Sequence, residues 1–136
     1  MFLDTPQYEC AALGDVLGCS ITLKIETLNP VRSFKGRGTE TALSWLAQRE
    51  EAPTAVCASA GNLGQALAYS GARRGIPVTV VAARTANPFK IERITSPVPA
   101  DQCGKRTTAT RVIDLTRGSV SPWPRSARGT GRETDR

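Results

Sequence analysis

Histidine is missing from all 136 residues. That absence excludes Ser-His-Asp triads, Cys-His proteases, HExxH metal sites and Cys/His zinc fingers, each of which needs an imidazole. Aromatic residues make up only 5% of the chain, so a core has to be built from Ala, Val, Leu and Ile. The four cysteines, Cys10, Cys19, Cys57 and Cys103, contain no C-x-x-C pair, which removes thioredoxin-like and paired-thiolate metal readings. Met1-Phe2-Leu3-Asp4 has neither a basic n-region nor an apolar h-region, so no secretory signal is expected. Scattered cysteines without a signal read as reduced thiols in a cytoplasmic protein. Residues 52–72 carry no formal charge, but Pro53, Gly61, Asn62, Gly64, Gln65, Ser70 and Gly71 make the run too polar and too broken to span a membrane.

Hydrophobic residues at 40% and charged residues at 22% are ordinary for one globular domain with a modest core. The net charge of +6 is uneven. Residues 1–94 hold ten Lys/Arg against eight Asp/Glu, a net +2, and residues 95–136 hold eight against four, a net +4. The basic tail offers scattered arginines and a single aromatic, Trp123, not the interleaved pattern that binds nucleic acid. No specific nucleic-acid partner is expected.

Residues 8–17 carry Cys10, Leu13, Val16 and Leu17 at the spacing of a short helical face, weakened by Gly14 and Gly18. Residues 21–26 alternate as a strand, closed by the Asn29-Pro30 turn. Residues 34–50 have helical spacing, with Leu43, Leu46 and Ala47 on one face. The apolar run 54–58 suits a strand buried on both faces. An Ala-rich helix is predicted over 63–73, stopped by Gly75, then a β-branched strand over 77–82. Asn87-Pro88 opens a further helix. Strand, helix, strand, helix over 54–94 is the signature of a parallel sheet covered by helices, with Val56, Leu67, Val78 and Val80 as expected core residues. The expected class is α/β, a partial open parallel sheet with flanking helices and an irregular C-terminal tail.

Two constellations carry candidate chemistry. The first is Ser33-Phe34-Lys35-Gly36-Arg37-Gly38 at a strand-to-helix junction. It lacks Walker A spacing. A solvated lysine at a helix start is the plain alternative. The functional one is an amine kept where small residues let a cofactor approach, since a desolvated lysine loses proton affinity and becomes a Schiff-base nucleophile. Phe34 supplies a flat apolar wall. The second is Ser59-Ala60-Gly61-Asn62-Leu63-Gly64-Gln65, where a strand meets a helix. Free N–H groups there, with the Ser59 hydroxyl and Asn62 amide, make an anion cradle suited to a carboxylate. Simple helix capping by Ser59 or Asn62 is the alternative.

Taken in order, the two motifs resemble those of the pyridoxal-phosphate enzymes of the tryptophan-synthase-β fold (fold type II), and within them the threonine/serine dehydratases. The resemblance runs from about Thr5 to Ile94. It includes Leu23-Lys24-Ile25-Glu26-Thr27-Leu28-Asn29-Pro30 and Asn87-Pro88-Phe89-Lys90-Ile91-Glu92-Arg93. It implies pyridoxal 5′-phosphate as cofactor, linked covalently to Lys35, which then moves protons at the substrate Cα. It implies Phe34 beside the cofactor ring and Asn62 on the cofactor 3′-oxygen. Ser59, Ala60, Gly61 and Asn62 would hold the carboxylate of a small amino-acid substrate. No metal, membrane or specific nucleic acid is implied, and full-length relatives are expected to be homo-oligomers in the cytoplasm. Threonine synthase or a cysteine-synthase-like enzyme shares these motifs, and a non-enzymatic α/β fragment is the rival of another class.

The resemblance stops after Ile94. The family's later glycine-rich phosphate loop and the group facing the pyridine nitrogen have no match. Residues 95–136 hold four prolines, eleven Ser/Thr and four glycines, and only 110–115 reads as a short strand. The expected division is therefore a lyase portion over 1–94 and a divergent, poorly ordered tail over 95–136, with a frameshift or truncated frame as its origin and natural divergence as the competing view. The chain is expected to be an incomplete catalyst by itself.

Overall fold

The computed structural model describes residues 4–96, 110–114 and 121–122. Strand β1 (Gln7–Glu9) pairs antiparallel with β2 (Thr22–Lys24), Tyr8 facing Leu23, and helix α1 (Ala11–Leu17) connects them. The helical face predicted over 8–17 therefore begins late. Residues 8 and 9 pair with β2 instead, and the Cys10 N–H continues the ladder to the Ile21 carbonyl at 2.8 Å. Tertiary pairing outweighs weak local helical preference here. The strand predicted over 21–26 is also shorter, because Glu26–Leu28 winds into a 3-10 turn.

The main sheet runs β3 (Ala55–Ala58), β4 (Val78–Ala82), β5 (Thr110–Asp114), β6 (Ser121–Pro122) in spatial order. The first three are parallel, with Ala55 beside Val78 and Val80 beside Val112, and β6 is antiparallel to β5. Helices α3 (Asn62–Arg74) and α4 (Pro88–Thr95) follow β3 and β4, giving the expected βαβ order. Gly75 ends α3 in the left-handed region at φ 70°, as its predicted C-cap role requires. Asn87 caps α4 by accepting from the Phe89 N–H at 2.9 Å, with Pro88 in the first turn.

Burial follows the pleat. Val78, Val80, Ala82 and Val112 face the helices and join Leu43, Leu67, Ile76, Ile91 and Ile94 in one core. Leu67, Val78 and Val80 are buried as expected, but Val56 is 69% exposed. Strand β3 is the edge of the sheet and alternates between half-buried and exposed, so the reading of 54–58 as buried on both faces is corrected. Among the described residues the helices cover the face bearing Ala55 and Cys57, and Val56 points the other way.

Helix α2 (Lys35–Arg49) packs chiefly on α3, and its Leu43 joins the core on the sheet. Its buried stripe is Gly36, Thr39 and Leu43, while Ala47 and Trp45 stay exposed. Of the predicted face, Leu43 is buried and Leu46 packs partly buried against the core, but Ala47 is exposed, and the seam with α3 takes in a polar contact, Thr39 Oγ1 to Ser70 Oγ at 3.3 Å. Within the predicted tail, Thr110–Asp114 is a strand with Val112 in the core, matching the one strand-like stretch there. The expectation of poor order for 97–109, 115–120 and 123–136 lies outside the described residues.

Candidate active site

Lys35 opens α2, and its exposed ammonium lies over the exposed Phe34 ring, 4.5 Å from the centroid. The turn in front of it is tightly organised. Asn29 is 4% exposed and uses its whole carboxamide. Nδ2 donates to Glu26 Oε2 and to the Ser33 carbonyl, both at 2.9 Å. Oδ1 accepts from the Val31 N–H at 3.1 Å and the Ser33 N–H at 3.3 Å. Glu26 Oε1 accepts from Arg37 Nε at 2.8 Å and from Thr5 Oγ1 at 2.9 Å, and Arg37 Nη2 donates to Thr5 Oγ1 at 3.0 Å. Arg32, inside the turn, has φ 53°, the one non-glycine positive φ among the described residues. Ser33 Oγ is buried without a hydrogen-bond partner among the described residues.

Partial burial works to raise the Glu26 carboxyl, but hydrogen bonds from Arg37, Thr5 and Asn29 and the Arg37 charge outweigh it and hold the group below the ordinary glutamate value. Burial pushes the Cys57 thiol up. The thiols of Cys10, Cys19 and Cys57 are all free.

The second predicted motif lies at the start of α3. Gly61 is the N-cap and no side chain caps the helix. Asn62 occupies the first helical position and is exposed, so the capping alternative for Ser59 and Asn62 does not hold. The Ser59 hydroxyl instead accepts from the Gly61 N–H at 3.2 Å, which folds the 59–61 loop and leaves its own O–H proton able to donate. The first-turn N–H groups of Asn62, Leu63 and Gly64 have no intrahelical partner by helix geometry. Gly64 allows this loop to close down. A Cβ there would collide with the Ser59 carbonyl and crowd Val80 Cγ1 at 3.1 Å.

Helices α2 and α3 start at the same end of their shared seam. Val31 packs with Ala66 and Tyr69, Thr39 meets Ser70, and Glu40 takes the Arg74 guanidinium at 2.6 Å, so the partners advance in the same sense along both helices. Both N-termini lack side-chain caps. Their aligned dipoles favour anions at that end. Phe34, Lys35, Ser59, Ala60, Gly61 and Asn62 thus belong to two adjacent helix starts. No hydrogen bond among the described residues joins Lys35 to the 59–62 loop, and its ammonium rests on Phe34. Nothing in the local sequence pattern marks Glu26, Asn29, Arg37 or Gln65 as supports of the site; Asn29 reads only as part of a turn. The Gln65 carboxamide oxygen accepts from Arg93 Nη2 at 2.8 Å and Nε at 3.3 Å, tying the first turn of α3 to α4.

Residues 2–97 match the family described as pyridoxal-phosphate dependent enzyme, and the chain belongs to that family. It is 37% identical over 94 residues to the L-serine dehydratase/L-threonine deaminase of Mus musculus, covering 69% of this chain and 28% of that protein. It is 41% identical over 78 residues to the threonine synthase of Methanosarcina acetivorans, covering 57% of this chain and 19% of that protein. The crystal structure of serine racemase from Dictyostelium discoideum superposes with a TM-score of 0.66 at 26% identity, over 85% of this chain and 35% of that one. The chain therefore spans about 28% of the length of the mammalian dehydratases it matches. The residues present suit pyridoxal phosphate: an accessible amine, an exposed aromatic ring beside it, the uncapped start of α3 and the unpartnered Ser33 hydroxyl. No helix among the described residues is long and apolar enough to cross a membrane.

Proposed function

We propose that this chain supplies the lysine-bearing part of a pyridoxal-phosphate-dependent lyase that eliminates and deaminates serine or threonine. The observation that carries the reading is the placement of Lys35 and Asn62 at two helix starts on the same end of one helix pair. When bound, pyridoxal phosphate supplies the electron sink for a carbanion at the substrate Cα. Lys35 Nζ would hold the cofactor and take the proton from the substrate Cα, while the β-hydroxyl leaves with a proton as water. Phe34 would lie against the cofactor ring, and the Asn62 side chain would hold the cofactor 3′-oxygen. The N–H groups opening α3 and the Ser59 hydroxyl bind the substrate carboxylate, which fixes the Cα–H bond for removal. The enamine left by that loss of water takes up one water on hydrolysis, so the products are a keto acid and ammonia.

Residues 1–94 form the lyase portion in this reading, and the chain alone does not turn over substrate. Residues 95–136 offer no glycine-rich loop for the cofactor phosphate, and misplacement by about 1 Å already costs ~100-fold in rate. A cytoplasmic location and homo-oligomeric assembly of the full-length protein belong to the same reading, the first supported by the free thiols. Likeness to a threonine synthase favours one second reading, replacement chemistry on the same site. The test joins residues 1–94 to the remaining portion of a serine dehydratase relative. Lys35-dependent release of keto acid from serine or threonine supports the lyase. Conversion of a phosphorylated hydroxy amino acid to threonine, without keto acid, supports the second reading.

A further inference from the structure

Lys35 is bracketed by one network. Two residues before it, both backbone polar groups of Ser33 are bonded to the Asn29 carboxamide. Two residues after it, Arg37 is held by Glu26. The two clamps meet, since Asn29 Nδ2 and Arg37 Nε bond to the two oxygens of the same Glu26 carboxylate. The backbone of the same turn adds a further observation. Arg32 sits within this turn at φ 53°, with its N–H donating to the Asn29 carbonyl at 2.9 Å. An arginine gains nothing from the left-handed region and stays there only where its surroundings over-determine the backbone. The buried Asn29 carboxamide, bonded on both sides of Arg32, is the group that does so.

We infer that Asn29 and Glu26 are positioning residues that hold the turn before Lys35 in a strained conformation and so fix the direction in which the lysine amine is presented to pyridoxal phosphate. The inference rests on the reading of Lys35 as the cofactor lysine. Neither residue touches the amine. They act through the backbone of Ser33 and the side chain of Arg37. Pro30, with its fixed φ, leaves the turn few alternatives once Asn29 is engaged.

The test uses the full chain with pyridoxal phosphate and borohydride. Peptide mapping gives the ratio of label on Lys35 to label on Lys90, a lysine of α4 outside the network. Thermal melting is recorded in parallel. Asn29→Ala should lower the ratio by about tenfold, within the ~100-fold that a 1 Å displacement can cost. Adding Arg32→Gly, which adopts the same backbone without strain, should recover part of it. A purely structural role would shift melting and leave the ratio unchanged in the folded protein, and that result overturns the inference. Should Asn29→Ala fail to fold, Glu26→Gln decides the matter in the same way. If the unsubstituted chain shows no preference for Lys35, the reading beneath the inference fails, and the inference with it. A preference in the unsubstituted chain that persists in a folded variant overturns the inference alone.

Discussion

The carbonyl of Ser59 occupies the space into which a Cβ on Gly64 would project. This contact ties the loop after β3 to the first turn of α3 and sets where the open N–H groups point. Gly64→Ala should cost about 3 kcal/mol, the upper part of the range for overpacking a core, because the obstacle is backbone and Val80 and Ile94 stand behind it. Urea denaturation measures this. A loss below about 1 kcal/mol would mean the loop can retreat freely.

Arg32→Gly should stabilise the protein by about 1 kcal/mol. A left-handed L-residue costs ~1–2 kcal/mol, and the added chain entropy of glycine returns only ~0.4–1 kcal/mol of that. Calorimetry should show a rise of a few degrees in Tm. A lower Tm would show that φ 53° carries no strain.

The acid side of the stability profile should depend on Glu26. Its carboxyl is held below the ordinary value, so it stabilises the fold fully above the unfolded-state value of about 4.3, and that contribution is lost as pH falls through the lower folded value. The stability gap between the natural protein and Glu26→Gln should be widest at neutral pH and close on acidification below about pH 4. A gap that stays constant down to pH 2 would contradict the network.

Cys57 should alkylate more slowly than Cys19 at pH 8. Burial raises the Cys57 thiol and shields it, while Cys19 is exposed, and the thiolate is the reacting form. Mass spectrometry of timed iodoacetamide reactions separates the two sites. Equal rates would show that the covered face of β3 is open to reagent.

Much of this architecture is legible in the sequence because it is local. Gly75 and Asn87-Pro88 end and begin helices where their backbone chemistry demands, and the β-branched run at 78–82 forms the central strand. Val56 shows the limit. An apolar run says that a strand forms, but whether both faces are covered depends on what packs there, and β3 lies at an edge. Ala47, read as part of the α2 face yet exposed, fails for a related reason. Helical spacing identifies a face, yet the seam chosen by α2 includes a hydroxyl pair that no hydropathy pattern reveals. Leu43→Ala should accordingly cost about 2–5 kcal/mol, whereas Val56→Ser should stay within about 0.5 kcal/mol. The Lys35 and Asn62 motifs were visible as short strings, but their placement on neighbouring helix starts was not. Nor was the Glu26 network, whose members are 3 to 32 residues apart and meet only through the turn.

Lys35 is the lysine of this chain proposed to engage pyridoxal phosphate. The most direct test of that assignment is borohydride reduction of the full chain with pyridoxal phosphate at low excess, followed by mapping of the labelled peptides. Four lysines compete, Lys24, Lys35, Lys90 and Lys105. Lys24 already donates to the Thr5 carbonyl at 2.7 Å. The label should fall mainly on Lys35, and Phe34→Ala should weaken that preference by removing the ring beside the amine. Label spread evenly over the four lysines, or concentrated on any other, would contradict the account.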